Sequence, residues 1–181
     1  MAAFNCASWI QRMEAREVSL CRRVNAMCRL SVVRGLFAAV SRLGDGVLWY
    51  TLMLCLPLIY GVSALVASAH MLVVGVIGLL AYKYLKAHLV RERPYIAVTG
   101  IELGGRALDR YSFPSGHTLH AVAFSIIVLT YYPELALLVV PFTALVALSR
   151  VVLGLHYPTD VLAGAALGAL IAVTSLQFTY P

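Results

Sequence analysis

Eight residues whose side chains or amides suit phosphate chemistry lie at the ends of apolar runs in this sequence. They are Lys86, Arg93, Ser115, Gly116, His117, Arg150, His156 and Asp160. Three cations, a hydroxyl and a glycine amide describe a pocket for a multiply charged oxyanion. Phosphate fits best, because arginine binds its oxygens in a bidentate fork and lysine adds a point charge. Residues 114–117 alone are also typical of an ordinary turn before a helix, so the anion site depends on the other cations.

If the anion is phosphate, the two histidines have different tasks. Asp160 follows His156 by four residues, and its carboxylate can keep one ring nitrogen protonated while the other attacks phosphorus. His117 can then protonate the leaving oxygen as a general acid. The three cations would offset charge on the equatorial oxygens, and water would later hydrolyse the phosphohistidine.

The same residues do not favour a metal. Two histidines and an aspartate could ligate zinc, but three adjacent cations oppose a divalent ion, so we expect no metal and no cofactor. The cysteines contain no Cys-x-x-Cys pair, and we expect free thiols. They are Cys6, Cys21, Cys28 and Cys55.

The composition predicts an integral membrane protein. Hydrophobic residues make up 61% of the 181 residues and charged residues 12%, against about 45–50% and about 25% in soluble domains. The net charge is +6, and residues 1–45 carry +4 of it, from seven arginines and three acids. A basic segment beside apolar runs favours anionic lipid headgroups as partners. Nucleic acid is excluded, because no basic stripe continues beyond that segment.

Residues 1–45 are predicted to form a separate N-terminal region, a basic amphipathic helix in the membrane interface. Apolar residues recur at helical spacing over residues 8–42, with arginines between them. These apolar residues are Ile10, Met13, Leu20, Val24 and Met27. No cleavable signal peptide is predicted, because the first thirty residues contain no uninterrupted apolar core.

Residues 46–181 are predicted to form an all-α bundle of transmembrane helices. Residues 46–82 contain no charged side chain, a run long enough for two short spans with a hairpin near residues 61–70. The second span is expected at about 71–89. Three more are expected at about 117–132, 134–153 and 158–178. The total is five spans, or six if residues 26–44 also cross, and Gly164 and Gly168 predict a close helix-packing face.

This order of spans brings the reactive residues to one face of the membrane. The second span ends where the polar segment 90–113 begins, the third starts there, the fourth ends on that side and the fifth starts there. The three polar clusters therefore meet. Ionisable groups at the ends of such apolar helices are costly enough to indicate function.

The three clusters resemble the signature motifs of the type 2 phosphatidic acid phosphatase superfamily. The matching patterns are Lys86-x6-Arg93-Pro94, Pro114-Ser115-Gly116-His117 and Ser149-Arg150-x5-His156-x3-Asp160. The resemblance covers under half of the chain and implies a metal-independent membrane phosphatase with the residue roles argued above. It implies a lipid phosphate or diphosphate that enters from the bilayer. Similar bacterial proteins act on phosphatidylglycerol phosphate, undecaprenyl diphosphate or lipid A phosphate.

The resemblance also raises two questions about topology. Family members commonly have six spans, whereas five are predicted here. Bacterial members usually work on the periplasmic face of the inner membrane, and we expect the same location. The positive-inside rule would place the arginine-rich N-terminal region and the site in the cytoplasm, unless residues 26–44 cross or the helix lies on the outer surface.

Other polar residues near the motifs have two interpretations. Arg91, Tyr111 and His120 are possible substrate contacts. Solvation explains Arg91 equally well, and helix packing explains His120 better. Asp109, Arg110 and Tyr111 could form a paired lid or contact the substrate.

Two alternative functions use the same pocket. A vanadate-dependent haloperoxidase would hold vanadate there, but those relatives are soluble and five spans argue against this assignment. An anion or lipid-phosphate carrier would use the cations for binding without hydrolysis. A carrier would have no need of the pair His156 and Asp160.

Overall fold

The structure is a computed structural model that describes residues 6–107 and 109–179, with side chains from Glu14 onward. This described part forms eight α-helices joined by short 3₁₀, π and irregular segments. They are α1 (Cys6–Asn25), α2 (Ser31–Arg42), α3 (Leu48–Tyr60), α4 (Leu65–His88), α5 (Pro94–Ala97), α6 (Gly116–Tyr131), α7 (Ala136–Val152) and α8 (Pro158–Thr179).

Four helical segments of the described chain are long and apolar enough to cross a membrane. They are Ser31–Tyr60, Val62–His88, Pro133–Val152 and Pro158–Thr179. Helix α6 is also apolar but has 16 residues. The prediction of an all-helical membrane bundle is confirmed.

The N-terminal region differs from the single interfacial helix that was predicted. The chain breaks after α1 at residues 26–30, where Leu30 has extended backbone dihedrals. Helix α2 then continues towards α3 through a π-helical turn at Leu43–Val47. Within this turn Asp45 and Gly46 leave helical geometry, and Gly46 has a φ of 111° that favours glycine. The expected boundary at residue 45 therefore falls at a kink inside one long helical segment.

Helix α1 docks on the bundle through a side that carries Glu17, Cys21 and Asn25, and Val18 and Val24 also pack there. Glu17, Cys21 and Asn25 follow each other at four-residue spacing and so lie on one side. Cys21 is fully buried and Asn25 is 4% exposed, whereas Leu20 and Met27 are each 48% exposed. Ile10 and Met13 lie outside the described side chains.

The first hairpin is tighter than expected. Helix α3 ends at Tyr60, Gly61 has a φ of 83°, and the 3₁₀ turn Val62–Ala64 leads directly into α4. His70 therefore lies within α4 instead of in the turn. The predicted start at residue 71 was wrong because residues 46–82 have no charge that marks a helix end.

Helix α6 lies at the centre of the bundle and packs against α4, α7 and α8. Its closest neighbour is α8, because Gly164 and Gly168 face the backbone of α6. A Cβ atom at either glycine would collide with the carbonyl oxygen of Ser115 or Leu119. The predicted glycine packing face is confirmed, and it fixes the start of α6 against the start of α8.

Candidate active site

The three motif segments meet at one end of the bundle. Lys86 lies in the last turn of α4, Arg93 precedes α5, and Arg150 lies in the last turn of α7. Residues 115–117 begin α6, and Asp160 lies in the first turn of α8. The amide of Ser115 donates to the Asp160 carbonyl oxygen over 3.0 Å, which joins the two helix starts.

The turn after α7 presents His156 to the site. The amides of Leu155 and His156 both donate to the Arg150 carbonyl oxygen at 3.0 Å. Gly154 allows this turn with a φ of 70°, and a Cβ there would also crowd the Glu102 carbonyl. His156 is consequently held only 1% exposed.

His156 faces cations on one side and a carboxylate on the other. Its Nε2 lies 3.2 Å from Arg93 Nη1, while its Nδ1 lies 3.6 Å from Asp160 Oδ2. The second distance is too long for a hydrogen bond, and Nδ1 has no hydrogen-bond partner among the described residues. Burial lowers the pKa of His156 well below its usual value, and Arg150, Arg93, Lys86 and His117 lower it further.

Asp160 is fully buried and already has two donors. Its Oδ1 accepts from Arg91 Nη1 at 2.6 Å, and its Oδ2 accepts from the Tyr157 amide at 2.8 Å. Arg91 therefore lies behind the Asp160 carboxylate. It does not line the cavity described below.

Two of the three predicted phosphate-binding cations hold an aspartate in this structure. Lys86 Nζ lies 2.9 and 2.7 Å from the carboxylate oxygens of Asp109. Arg93 donates from Nη2 to Oδ1 at 2.8 Å and from Nε to the Asp109 carbonyl at 2.8 Å. Burial raises the pKa of Asp109, but the hydrogen bonds from Lys86 and Arg93 outweigh it and hold the pKa below its usual range.

Arg150 and Ser115 lie behind the wall of the site. Arg150 is 1% exposed, donates from Nη1 to Ser41 Oγ, and has no partner for Nε in the described part of the chain. The Ser115 hydroxyl is 3.0 Å from Thr118 Oγ1. Neither side chain lines the cavity, whereas the following residues Gly116 and His117 do.

His117 pairs with an acid that the motifs do not contain. Its Nε2 lies 3.2 Å from Asp45 Oδ1, at the kink between α2 and α3. Asp45 was missed as a site residue in the sequence. The available signal was a lone carboxylate between two glycines, at the edge of a 37-residue run without charge.

The other two possible substrate contacts occupy different places. His120 lines the cavity and bridges α6 to α4, with Nδ1 2.8 Å from the Gly116 carbonyl and Nε2 3.1 Å from the Gly75 carbonyl. Tyr111 lies outside the cavity and accepts a hydrogen bond from Lys86 through its carbonyl oxygen at 3.1 Å.

A cavity of about 220 Å³ joins this charged end to the apolar interior. Lys86, Arg93, His117 and His156 line one end, together with Asp45 and Asp109. The apolar walls come from α3, α4 and α6. Their side chains include Trp49, Met53, Leu72, Val76, Leu79 and Phe124.

Comparisons with known proteins give one family. A family model described as the PAP2 superfamily matches residues 71–181. An undecaprenyl-diphosphatase from Sulfolobus acidocaldarius is 30% identical over 156 residues, which are 82% of this chain and 72% of that protein. The undecaprenyl-diphosphatase BcrC from Bacillus subtilis is 35% identical over 113 residues, 61% of this chain and 58% of that protein.

A solved structure supports the same arrangement of helices. It is the transmembrane PAP2 type phosphatidylglycerolphosphate phosphatase from Bacillus subtilis. Its TM-score is 0.74 at 23% identity, over 92% of this chain and 86% of that one. At this identity the likeness concerns the fold.

Proposed function

Because the chain belongs to the PAP2 superfamily, we propose that this membrane phosphatase removes the terminal phosphate of undecaprenyl diphosphate or a related polyprenyl diphosphate. The observation that carries the proposal is the buried His156, set among cations at the end of an apolar cavity. Two relatives named undecaprenyl-diphosphatases support the choice of substrate. Relatives named phosphatases also favour hydrolysis over the carrier alternative.

In the first step, Nε2 of His156 attacks the terminal phosphorus. The N–P bond forms as the bond to the bridging oxygen breaks, and His117 donates a proton to the leaving lipid phosphate. Nε2 is suited to this role because it lies on the side of Arg93, while Nδ1 faces Asp160. The lowered pKa of His156 keeps the ring neutral and its lone pair available.

In the second step, water attacks the phosphohistidine. His117 takes a proton from the water, the N–P bond breaks, and inorganic phosphate leaves with His156 restored. Lys86 and Arg93 would balance charge on the phosphoryl oxygens in both steps, and Arg150 would add its positive charge from behind the wall of the cavity. Gly116 would contribute its amide at the start of α6.

The substrate phosphate must displace Asp109 before this chemistry begins. The carboxylate makes the contacts to Lys86 and Arg93 that a phosphate would make. A dianionic phosphate offers more charge and more acceptor oxygens than a carboxylate, so the exchange is favourable. The side chain of Asp109 would move away from Lys86 and Arg93.

The lipid tail would lie along the apolar walls of the cavity. Trp49, Leu72 and Val76 come from α3 and α4, so the tail would approach between these two helices. A long prenyl chain suits such a groove because it can remain largely in the bilayer. The substrate would therefore reach His156 sideways from the membrane.

Phosphate release by the purified protein tests this function. We expect undecaprenyl diphosphate to be hydrolysed faster than phosphatidylglycerol phosphate, phosphatidic acid or lipid A phosphate, and activity to persist in excess chelator. Rapid quenching should trap phosphate on the wild-type protein but not on His156→Ala. A His156→Ala protein that released phosphate at the wild-type rate would refute the phosphohistidine mechanism.

A further inference from the structure

The carboxylate of Asp160 is connected to the N-terminal helix through a single arginine. Arg91 Nη1 donates to Asp160 Oδ1 at 2.6 Å, and its Nη2 donates to Glu17 Oε2 at 2.7 Å. One planar guanidinium thus joins α1 to the first turn of α8. The guanidinium carbon of Arg91 lies over the Tyr157 ring, 4.0 Å from its centroid, and this cation–π contact helps to orient the guanidinium.

Glu17 also holds the start of α8 directly. Its Oε1 accepts from the amide of Thr159 at 2.8 Å and from the Thr159 hydroxyl at 2.5 Å. Arg91 Nη1 donates to the same hydroxyl at 2.8 Å. An acid from another helix therefore satisfies a free amide at the N-terminus of α8, beside Asp160.

The docking of α1 extends beyond Glu17. Asn25, two turns later, donates from Nδ2 to the carbonyls of Glu102 at 3.0 Å and Val152 at 2.9 Å. It also accepts from the Glu102 amide at 2.9 Å. The side chain of Glu17 is 10% exposed and that of Arg91 is 31% exposed, so water reaches the Arg91–Glu17 pair only in part.

The position of Asp160 decides how well it can serve His156. Its Oδ2 lies 3.6 Å from His156 Nδ1, less than 1 Å beyond hydrogen-bond distance. When Nε2 bonds to phosphorus, positive charge develops on the ring and Nδ1–H needs a strong acceptor. Asp160 therefore has to accept hydrogen bonds from Arg91 and from His156 Nδ1–H at the same time. Because Glu17 also pairs with Arg91, Asp160 does not have to neutralise the guanidinium alone.

We propose that Glu17 and Arg91 are positioning residues, which hold Asp160 for His156 only while α1 is docked on the site. This inference rests on the proposed role of His156 as the nucleophile. It makes the N-terminal helix a working part of the catalytic site. In the absence of Glu17, Arg91 would neutralise Asp160 alone, and the carboxylate would be a poorer acceptor for Nδ1–H.

Glu17→Gln tests the inference, with Glu14→Gln as the matched control on an exposed part of α1. Complete loss of such an orienting carboxylate costs about 10⁴ in kcat, and we expect a displaced one to cost about tenfold. The KM should stay within about twofold, because neither residue lines the cavity. The acid limb of kcat/KM should move to lower pH, because the Arg91 charge is less balanced near His156.

Two further variants separate positioning from general destabilisation. Glu17→Asp keeps the charge and should recover part of the lost kcat. The double variant Glu17→Gln/Arg91→Gln should be little slower than Arg91→Gln alone, because Glu17 acts through Arg91. Size-exclusion profiles and thermal unfolding identify any variant that fails to fold.

The outcomes are distinct. If wild-type protein forms no phosphoenzyme, the proposed function and this inference both fail. If it forms one, and Glu17→Gln matches Glu14→Gln in kcat and pH profile, the inference alone is overturned. An effect of Glu17→Gln that adds in full to that of Arg91→Gln would also overturn it.

Discussion

At the scale of single residues, Asp109 pairs with Lys86 and Arg93, the two cations that the proposed substrate would need. Asp109→Asn removes the competing charge, so KM should fall by about three- to tenfold with kcat nearly unchanged. Steady-state kinetics with undecaprenyl diphosphate measure this. Glu92→Gln is the control, because Glu92 pairs with exposed Arg110 rather than with the site. An unchanged or higher KM in Asp109→Asn would contradict the displacement of Asp109 by phosphate.

Asp45 is expected to support His117 when the leaving group is poor. Asp45→Asn should lower kcat by about tenfold for a short-chain phosphatidic acid, whose alkoxide needs a proton. It should change kcat for para-nitrophenyl phosphate by less than about twofold, because that leaving group departs without one. Equal losses on both substrates would show that Asp45 does not act through the general acid.

The pH profile should report a neutral His156. Burial and nearby cations lower its pKa, so the free enzyme loses the nucleophile only when pH falls well below the ordinary histidine value of about 6.5. The charged and titratable groups that face it are Lys86, Arg93, His117, Arg150 and Asp160. We expect the acid limb of kcat/KM below pH 6.5. A limb centred at or above this value would contradict the effect of burial and nearby cations on the pKa of His156.

The motif residues could be predicted as a group from sequence because each has a fixed spacing and a distinct chemistry. Asp45 and Glu17 could not. Glu17 is 74 residues from Arg91 and 142 residues from Thr159 in sequence, and nothing local in α1 distinguishes it from Glu14. The pairing of Asp109 with Lys86 and Arg93 also depends on the path of a loop that periodicity does not determine.

At the scale of elements, the contact between α6 and α8 fixes the geometry of the site. Gly164→Ala would drive a Cβ into the Ser115 carbonyl, so we expect a loss of about 1–3 kcal/mol in stability. Activity should fall at least about tenfold, because Ser115 precedes Gly116 and His117. Thermal unfolding and phosphate release measure the two effects.

Gly35→Ala is the matched control, since no described atom lies within 4 Å of a Cβ at this helical position. It should retain activity and gain up to about 1 kcal/mol from helix propensity. If Gly164→Ala behaves like Gly35→Ala, the close packing of the two helices does not position the site.

Helix type and approximate bounds could be predicted from the apolar runs. The end of α3 and the start of α4 could not be predicted correctly within residues 46–82. Gly61 is the only local sign of the turn there, and its positive φ depends on the tertiary structure. The joining of α2 to α3 was equally hidden. In the sequence Asp45 and Gly46 indicate the end of one region, whereas in the structure they form a kink within the continuous helical segment Ser31–Tyr60.

At the scale of the whole molecule, the site and the N-terminal helix lie at the same end of the bundle. If the site cations bind phosphate as proposed, they should not be counted in the positive-inside rule, and a periplasmic location of this end then requires that the arginine-rich N-terminal region lies on the outer surface. Gly100→Cys, on the loop beside the site, should react with an impermeant maleimide in intact cells. Val62→Cys, in the hairpin at the other end, should react only after permeabilisation. The reverse pattern would place the site in the cytoplasm.

The contacts of Asp109 also concern how the enzyme completes a cycle. Inorganic phosphate is a product that Lys86 and Arg93 would retain strongly. A carboxylate tethered to the same loop competes for Lys86 and Arg93 at an effective concentration in roughly the millimolar range. Return of the Asp109 carboxylate to Lys86 and Arg93 would therefore assist the release of the product. The Asp109 carboxylate would act in this way as a built-in aid to product release.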